Sequence, residues 1–239
     1  MMMQSVLRLL YPAQCLTCDA LVEQDDALCG TCWHGVHFIS GLVCDCCGVP
    51  LPGEDSDIVL CDDCMVIARP WTRGRAAFVY SETGRKLVLA LKHGDRTDLA
   101  RPAARWLLNA TKGLLTEKTL IVPVPLHWRR RVQRRYNQSA ELGRALGRLS
   151  GLAYRPEVLE RRLPTRSLDG LSREARFEAL AGMIDVPKVH EGAVTGQDVL
   201  LVDDVMTSGA TLAACAEALN AAGVANVNVA VLARVAKET

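Results

Sequence analysis

VLLVDDVMTSGAT, residues 199–211, is the stretch of the sequence that decides the fold. Its first four residues are apolar, which is typical of a strand buried on both faces of a parallel sheet. Two carboxylates, Asp203 and Asp204, follow, and a short loop of small and hydroxyl residues leads into the Ala-rich segment 212–222, which Gly223 ends. Residues 199–222 are therefore predicted to form a strand that ends in the acidic pair, then a loop and a helix, which together are half of a βαβ unit.

The loop after the acidic pair has the composition of a phosphate site. Open α/β sheets bind ligands outside the carboxyl ends of their strands. A helix N-terminus at that place offers unpaired N–H groups and the positive end of its dipole. Thr207, Ser208 and Thr211 add hydroxyl donors, and Gly209 lets the backbone approach a ligand closely. A phosphate on this loop, with a hydroxyl-rich ring on the two carboxylates, describes a ribose 5-phosphate.

The same stretch resembles the phosphoribosyl pyrophosphate (PRPP) signature of type I phosphoribosyltransferases. That signature is an apolar run, an acidic pair, two variable positions and Thr-Ser/Ala/Gly-Gly-x-Thr, and the sequence matches it position by position. The resemblance implies that Asp203 and Asp204 contact the ribose hydroxyls. It also implies that the following loop holds the 5′-phosphate, through Thr207, Ser208, Gly209, Ala210 and Thr211. The alternative is an ordinary buried strand with a solvated acidic pair before its helix.

The composition restricts the class of protein. With 239 residues and a net charge of +1, the chain suits one or two domains with a proper core. It has no apolar run of transmembrane length, and residues 1–10 lack a cleavage-like site, so we expect no membrane span and no signal peptide. Nine of the ten cysteines precede Met65, mostly as CxxC pairs. This spacing favours metal sites in a reducing, cytoplasmic setting over disulfides.

The cysteine-rich segment 14–65 is predicted to hold two structural zinc ions. Eight thiolates form two closed tetrahedral sites, as in two consecutive zinc ribbons, and leave no coordination position for a substrate. We favour sequential sites because each then closes locally, although a cross-braced arrangement satisfies the same spacing. Cys46 is left over and is predicted to be a free thiol. The predicted ligands are Cys15, Cys18, Cys29, Cys32, Cys44, Cys47, Cys61 and Cys64.

Beyond this segment the sequence predicts an α/β domain. We place the zinc module at residues 1–68, a linker at 69–74, where Pro70 and Gly74 break both periodicities, and the larger domain at 75–239. Apolar periodicity predicts a strand over 75–80, helices over 84–93, 98–108 and 138–150, and a last strand over 226–233. The resemblance to type I phosphoribosyltransferases implies that these elements form a mostly parallel sheet flanked by helices.

A second buried-strand candidate, residues 120–127, leads into a dense group of arginines. Guanidinium groups bind phosphate oxygens in a bidentate manner. The group is therefore predicted to hold either a pyrophosphate beside the ribose loop or a single-stranded nucleic acid, with Trp128 and Tyr136 stacking on bases. A solvated helix start is the remaining interpretation. The five members are Arg129, Arg130, Arg131, Arg134 and Arg135.

Residues 122–142 are similar to the hallmark block of the ComF family: VPVPLH, then arginines, then RYNQSAEL. Members of that family usually have Arg-Gly-Phe-Asn-Gln, so Arg135 and Tyr136 replace Gly and Phe. Together with the zinc module and the PRPP signature, the resemblance covers nearly the whole chain. It implies PRPP binding with Mg²⁺ and a role in natural competence, in which single-stranded DNA is taken up and passed to recombination proteins.

Two functions stay open from the sequence. One is a protein that binds PRPP and single-stranded DNA; the other is an active phosphoribosyltransferase of nucleotide metabolism that releases pyrophosphate with an unidentified acceptor. Leu168 and Ala179 stand where the ComF pattern has Gln and Asn. Thr207 stands where 6-oxopurine transferases have an acidic general base, and a threonine cannot abstract a proton at neutral pH. That substrate class is therefore disfavoured, and the catalytic residues are unassigned.

Overall fold

A parallel sheet forms the centre of the molecule in the computed structural model, which describes residues 12–54, 58–93, 96–126, 136–161, 172–180 and 182–236. Four strands form this sheet in the order β1-β6-β5-β2, and β3 and β4 form a separate antiparallel pair. Strand β5 therefore lies inside the sheet, between β6 and β2. The strands are β1 (Arg73–Val79), β2 (Thr119–Pro123), β3 (Glu160–Arg161), β4 (Ile184–Asp185), β5 (Asp198–Met206) and β6 (Asn226–Arg234).

Helices cover both faces of this sheet, which confirms the predicted fold class of a parallel sheet flanked by helices behind a small cysteine-rich module. Among the described residues, four helices have twelve or thirteen residues and four are shorter. No helix within the described ranges is long and apolar enough to cross a membrane. The helices are α1 (Gly30–His34), α2 (Asp62–Val66), α3 (Glu82–His93), α4 (Ala100–Thr111), α5 (Gln138–Ser150), α6 (Arg173–Glu178), α7 (Lys188–Val194) and α8 (Ala210–Ala221).

The two faces of the sheet bury separate apolar clusters. On one face, α3, α4 and α5 contribute Leu91, Leu107 and Leu146, each at most 1% exposed. On the other face, α8 contributes Leu212 and Leu219 and packs together with cysteines of the second half of the module. Complete burial of one such side chain stabilises the fold by about 1.5–3 kcal/mol. The sheet is therefore held from both sides, as a parallel sheet requires.

The predicted helix over 138–150 is confirmed at both ends. The Asn137 side chain accepts a hydrogen bond from the Ser139 N–H, and Gly151 adopts φ +74° just after the helix. Strand β5, in contrast, is longer than predicted: it continues through the acidic pair to Met206 instead of ending at Val202. The extension forms because β6 pairs with β5 along its whole length, as far as Met206 opposite Arg234.

The first half of the cysteine module covers the edge of the sheet. Residues 37–39 run antiparallel to β1, with hydrogen bonds from Ile39 N–H to the Ala77 carbonyl (3.0 Å) and from Val79 N–H to the His37 carbonyl (2.9 Å). An edge strand otherwise exposes unpaired backbone groups. Strand β1 begins at Arg73, two residues before the predicted start of the larger domain. The domain boundaries at 68 and 75 remain a prediction.

The second half of the module is joined to β1 by a charged contact. The Asp45 carboxylate accepts hydrogen bonds from Arg73 (Nε 3.0 Å, Nη2 2.9 Å) and from Arg75 (Nη2 2.7 Å). Burial raises the pKa of Asp45, but the hydrogen bonds and charges of the two guanidinium groups outweigh it, and the net shift is downward. The ionised form of Asp45 therefore stabilises the folded protein.

We predict that Asp45→Asn lowers the free energy of unfolding by about 1.5–3 kcal/mol at neutral pH, because it removes a charged acceptor from two arginines. The depressed folded-state pKa means that this contribution is present above about pH 4 and is lost on acidification. Urea denaturation of the zinc-loaded protein at several pH values measures the free energy of unfolding and its dependence on pH. Asp98→Asn is the control, since Asp98 is a more exposed carboxylate paired with Arg96 and should contribute at most about 1 kcal/mol. Equal losses in the two variants would contradict the anchoring role.

Candidate functional site

An open pocket lies at the carboxyl end of β5, where the strand leads into α8. It contains one acidic side chain, one basic side chain and the complete predicted phosphate loop. The structure therefore brings the loop residues and Asp203 together in one pocket, and their contacts with a ribose phosphate remain a prediction. The lining residues are Arg176, Asp203, Val205, Met206, Thr207, Ser208, Gly209, Ala210, Thr211 and Leu212.

The loop has the geometry of an anion site. Gly209 caps α8 in the left-handed region with φ +81°, a conformation that favours glycine. A Cβ at this position would also lie 3.0 Å from Arg69 Nη1 and 3.2 Å from the Trp71 ring. The Ala210 N–H reaches the Ser208 hydroxyl at 3.4 Å, and the first turn of α8 supplies further backbone donors and the positive end of the helix dipole. A loop of this kind at a helix N-terminus is suited to an anion such as phosphate.

The two carboxylates have different partners. Successive side chains of a strand point to opposite faces, and both acidic residues belong to β5. Asp203 Oδ1 accepts hydrogen bonds from Ser139 Oγ (2.7 Å) and from the Asp204 N–H (2.9 Å). Asp204 is 8% exposed, and its Oδ1 lies 3.3 Å from Lys92 Nζ. Asp203 thus lines the pocket, whereas Asp204 forms an ion pair with α3.

Asp203 titrates near neutral pH. Burial and the neighbouring Asp204 carboxylate raise its pKa to about 7, against the opposing hydrogen bonds from Ser139 and the Asp204 N–H. A donor that approached the pocket, such as a ribose hydroxyl, would favour the ionised form. The residue is therefore suited to bind a neutral hydroxyl-bearing group beside an anion.

Two basic residues near the acidic pair and the loop received no firm role from the sequence. Arg176 of α6 lines the pocket and donates from Nη1 to Thr207 Oγ1 at 3.3 Å. Lys92 lies in the last turn of α3, and its Nζ lies 3.3 Å from Asp204 Oδ1. The only local signal for Arg176 is its position in the arginine-rich stretch 161–176. Neither contact is encoded by local spacing.

The predicted phosphate-binding arginines Arg129, Arg130, Arg131, Arg134 and Arg135 lie outside the described residues. Their flanks are described and lie at the pocket edge of the sheet. Val124 pairs with Val202 of β5, and the Asn137 side chain donates to the Val124 carbonyl at 3.0 Å. Tyr136 donates its hydroxyl to the Leu91 carbonyl at 2.6 Å. The chain therefore leaves and rejoins the described structure close to the acidic pair.

The eight paired cysteines form two groups of four, within each of which the sulfurs lie within 4.8 Å of one another. The sulfur atoms of Cys18 and Cys29 are 3.6 Å apart, and those of Cys47 and Cys61 are 3.7 Å apart. Tetrahedral coordination with Zn–S bonds of about 2.3 Å places sulfurs about 3.8 Å apart, so both groups fit zinc. Sequential pairing is confirmed, and Cys46 belongs to neither group. The groups are Cys15, Cys18, Cys29, Cys32 and Cys44, Cys47, Cys61, Cys64.

The second zinc site contacts the larger domain through a ligand. Arg234 Nη2 donates to Cys47 Sγ at 3.6 Å. The hydrogen bond with Cys44 and the charge of Arg234 outweigh burial and lower the pKa of Cys47 to about 4. The Trp71 indole N–H also donates to the carbonyl of Cys46, at 2.7 Å. The thiolate that zinc requires is thus favoured at Cys47.

Known proteins resemble both parts of the chain. Residues 6–65 match the family described as double zinc ribbon domain, and residues 167–239 match the phosphoribosyl transferase domain. The DNA utilization protein YhgH of Salmonella typhi is 31% identical over 236 residues, which cover 95% of this chain and 99% of that protein. The competence protein ComFC of Bacillus subtilis (strain 168) is 24% identical over 224 residues, covering 83% of this chain and 85% of that one. The chain belongs to the ComF family.

Membership of the ComF family confirms the resemblance drawn from the sequence and accounts for the two-part construction. The competence protein F of Haemophilus influenzae is 28% identical over 179 residues, which cover 73% of this chain and 78% of that protein. The double zinc ribbon match and the two four-cysteine sites support structural zinc.

Among solved structures, an allosteric regulatory enzyme of purine biosynthesis aligns with a TM-score of 0.39 at 19% identity. The alignment covers 60% of this chain and 30% of that one, and the likeness is too distant to support an inference.

We predict that the purified protein carries two zinc ions per chain, because each four-cysteine group closes one tetrahedral site. Cys47→Ser should lower the content to one ion. Cys46→Ser is the matched control and should keep both, since Cys46 belongs to neither group. Elemental analysis under reducing conditions gives the content. A protein that holds one ion or none, or a Cys46→Ser variant that loses one, would contradict the assignment.

We predict that the ligand-free protein loses stability as the pH rises through about 7, because the folded-state pKa of Asp203 lies above its unfolded value of about 4. The stabilising contribution of the proton is complete below pH 4 and is lost above pH 7. Asp203→Asn should remove this part of the pH dependence and unfold at a higher urea concentration than the wild type at pH 8. Asp198→Asn, at the opposite end of β5, is the control and should leave the profile unchanged. Identical pH profiles for wild type and Asp203→Asn would refute the assignment.

Proposed function

We propose that this ComF-family protein binds PRPP in the pocket between β5 and α8, binds single-stranded DNA through the arginine-rich segment, and acts in DNA uptake during natural competence. The observation that carries the proposal is the pocket itself, in which Asp203, the hydroxyl loop and the N-terminus of α8 line one cavity. An anion site next to a carboxylate suits a ligand that has both a phosphate and free hydroxyls. A ribose 5-phosphate has both.

The pocket suggests a place for each part of PRPP. The 5′-phosphate lies on the loop 207–211, with Arg176 adding a cation at its Thr207 end. The ribose hydroxyls donate to Asp203. Asp204, which forms an ion pair with Lys92, borders the ribose in this proposal. We assign Arg129, Arg130 and Arg131 to the pyrophosphate, and Mg²⁺ would accompany PRPP and offset the charge of its phosphates.

The DNA part of the proposal comes from the arginines and the relatives. Five arginines in seven positions form the densest positive charge in a chain whose net charge is +1. The flanks of this segment reach the pocket edge through Asn137 and Ser139. The relatives in enterobacteria are named for DNA utilization, and those in Bacillus subtilis and Haemophilus influenzae are named for competence. DNA phosphates are therefore the anions that we assign to Arg134 and Arg135.

An active phosphoribosyltransferase is the second candidate, and the match of residues 167–239 to the phosphoribosyl transferase domain favours it. In that case a nucleophile attacks C1 of the ribose and pyrophosphate leaves. The lining of the pocket limits the choice of general base, because Asp203 is the one carboxylate among its described lining residues and Thr207 cannot abstract a proton at neutral pH. The acceptor would have to supply its own nucleophile or its own proton acceptor.

One preparation of the zinc-loaded protein separates these functions. Calorimetry measures the affinity for PRPP in the presence of Mg²⁺, and fluorescence anisotropy measures the affinity for a single-stranded oligonucleotide. Pyrophosphate release is followed with a panel of acceptors. Asp203→Asn should reduce PRPP affinity at least about tenfold, because it removes a charged acceptor (about 1.5–3 kcal/mol). Asp198→Asn should bind normally. Binding of both ligands without turnover supports the competence function, turnover with one acceptor supports the transferase, and absence of PRPP binding refutes both.

We predict that DNA binding depends steeply on salt, with a log–log slope of about −0.7 per phosphate neutralised on a single strand. Replacing Arg134 and Arg135 by Ala should make the slope shallower by about one unit or more and leave PRPP affinity nearly intact. The matched control replaces Arg144 and Arg148, two exposed arginines of α5, by Ala. The control should keep the wild-type slope. If both double variants change it equally, the arginine-rich segment has no special role in DNA binding.

A further inference from the structure

Arg234 connects the second zinc site with the phosphate loop. It is the last residue of β6 and only 5% exposed. Its Nη2 donates to Cys47 Sγ at 3.6 Å. Its Nη1 donates to the carbonyl oxygens of Met206 (3.2 Å) and Thr207 (3.0 Å). One buried guanidinium therefore contacts both a predicted zinc ligand and the backbone that begins the loop.

Arg69 makes the next contact along the same backbone. Its Nη1 donates to the Ser208 carbonyl at 2.7 Å. The guanidinium lies 5.3 Å from the centre of the Trp71 ring, and the Trp71 indole N–H donates to the Cys46 carbonyl at 2.7 Å. Two arginines thus hold the three successive carbonyls 206–208, and each is linked to residues 46–47 of the second zinc ribbon.

Peptide geometry turns these contacts into a constraint on the loop amides. A trans peptide is planar, so its N–H points away from its carbonyl oxygen. Arginines that hold the carbonyls of 206, 207 and 208 direct the N–H groups of Thr207, Ser208 and Gly209 away from themselves. Gly209 completes the turn in the left-handed region. Successive N–H groups in a turn that ends in a left-handed residue can form a concave anion site, and the arginine contacts with the three carbonyls restrict the direction in which these N–H groups point.

We propose that Arg234 is a positioning residue through which the second zinc site (Cys44, Cys47, Cys61 and Cys64) and an anion in the pocket stabilise the binding of each other. Zinc at this site holds the Cys47 sulfur, the sulfur orients the guanidinium, and the guanidinium orients the loop. Such coupling is reciprocal, so zinc raises the affinity for the anion by the factor by which the anion raises the affinity for zinc. The proposal rests on the proposed function only for the identity of the anion, PRPP.

The first experiment needs no ligand. In the full-length protein loaded with zinc, Cys61→Ser removes a ligand of the second site and leaves Cys47 in place, while Cys29→Ser does the same at the first site. Hydrogen exchange then measures how fast the backbone amide protons of residues 207–209 exchange with solvent. We expect exchange at least about fivefold faster in Cys61→Ser and unchanged in Cys29→Ser, since coupling energies commonly correspond to about 5–150-fold. Unchanged exchange in Cys61→Ser, or an equal increase in both variants, would overturn the proposal.

The second experiment uses Arg234→Lys, which keeps the charge but cannot bridge sulfur and carbonyls with one nitrogen. Arg73→Lys is the matched control, because Arg73 also joins the second ribbon to the sheet but binds Asp45. In the wild type, PRPP should slow the loss of one of the two zinc ions to a chelator. Arg234→Lys should lose this protection and bind PRPP about tenfold more weakly, and Arg73→Lys should retain both properties.

Full protection and full PRPP affinity in Arg234→Lys would refute the coupling. A wild type that binds no PRPP would instead refute the proposed function, and the exchange of the loop amides, in Cys61→Ser and in Arg234→Lys, would still decide the positioning role. The two failures are therefore distinguishable. Should Cys61→Ser not fold, the exchange measurement on Arg234→Lys against Arg73→Lys replaces it.

Discussion

The pairing of β5 with β6 over the full length of both strands is the constraint on which the site depends. The register runs from Asp198 opposite Asn226 to Met206 opposite Arg234. It carries the acidic pair into the sheet, where Asp204 becomes buried and Asp203 borders the pocket. It also brings Arg234 beside the carbonyls of Met206 and Thr207. A register shifted by one residue would move each of these side chains to the opposite face.

The cysteine module contacts the sheet and the residues next to the loop after β5. Apart from cysteines, its buried large apolar side chains among the described residues are Leu16 and Val36, and metal binding supplies folding free energy in modules with so small a core. Its first half pairs with the exposed edge of β1, and its second half contributes Asp45, Cys46 and Cys47 to contacts with β1, Trp71 and Arg234. One side chain, that of Arg234, therefore contacts both a cysteine of the second four-cysteine group and the backbone of the loop after β5.

The site places opposite charges side by side, an arrangement that is compatible with the proposed ligand, a ribose phosphate. Asp203 has a raised pKa beside Asp204, while α8, Arg176 and the loop amides favour an anion a few residues further along. A simple phosphate has no neutral hydroxyl to donate to Asp203, and a simple sugar has no anionic group for the loop donors. A ribose phosphate satisfies both, so the chemistry agrees with the family to which the chain belongs.

The sequence by itself determined the features that depend on neighbouring residues. Apolar periodicity predicted the helix over 138–150, the CxxC spacing predicted the eight cysteines that form two groups of four, and the hydroxyl loop with Gly209 predicted a phosphate site that awaits a binding experiment. Only the tertiary structure decided the sequential zinc pairing, the length of β5 and the separate partners of the two carboxylates. The Arg69–Ser208 and Arg234–Cys47 contacts join residues 139 and 187 positions apart. No local periodicity records such contacts, because they arise only when the packing of the sheet and the module brings the two segments together.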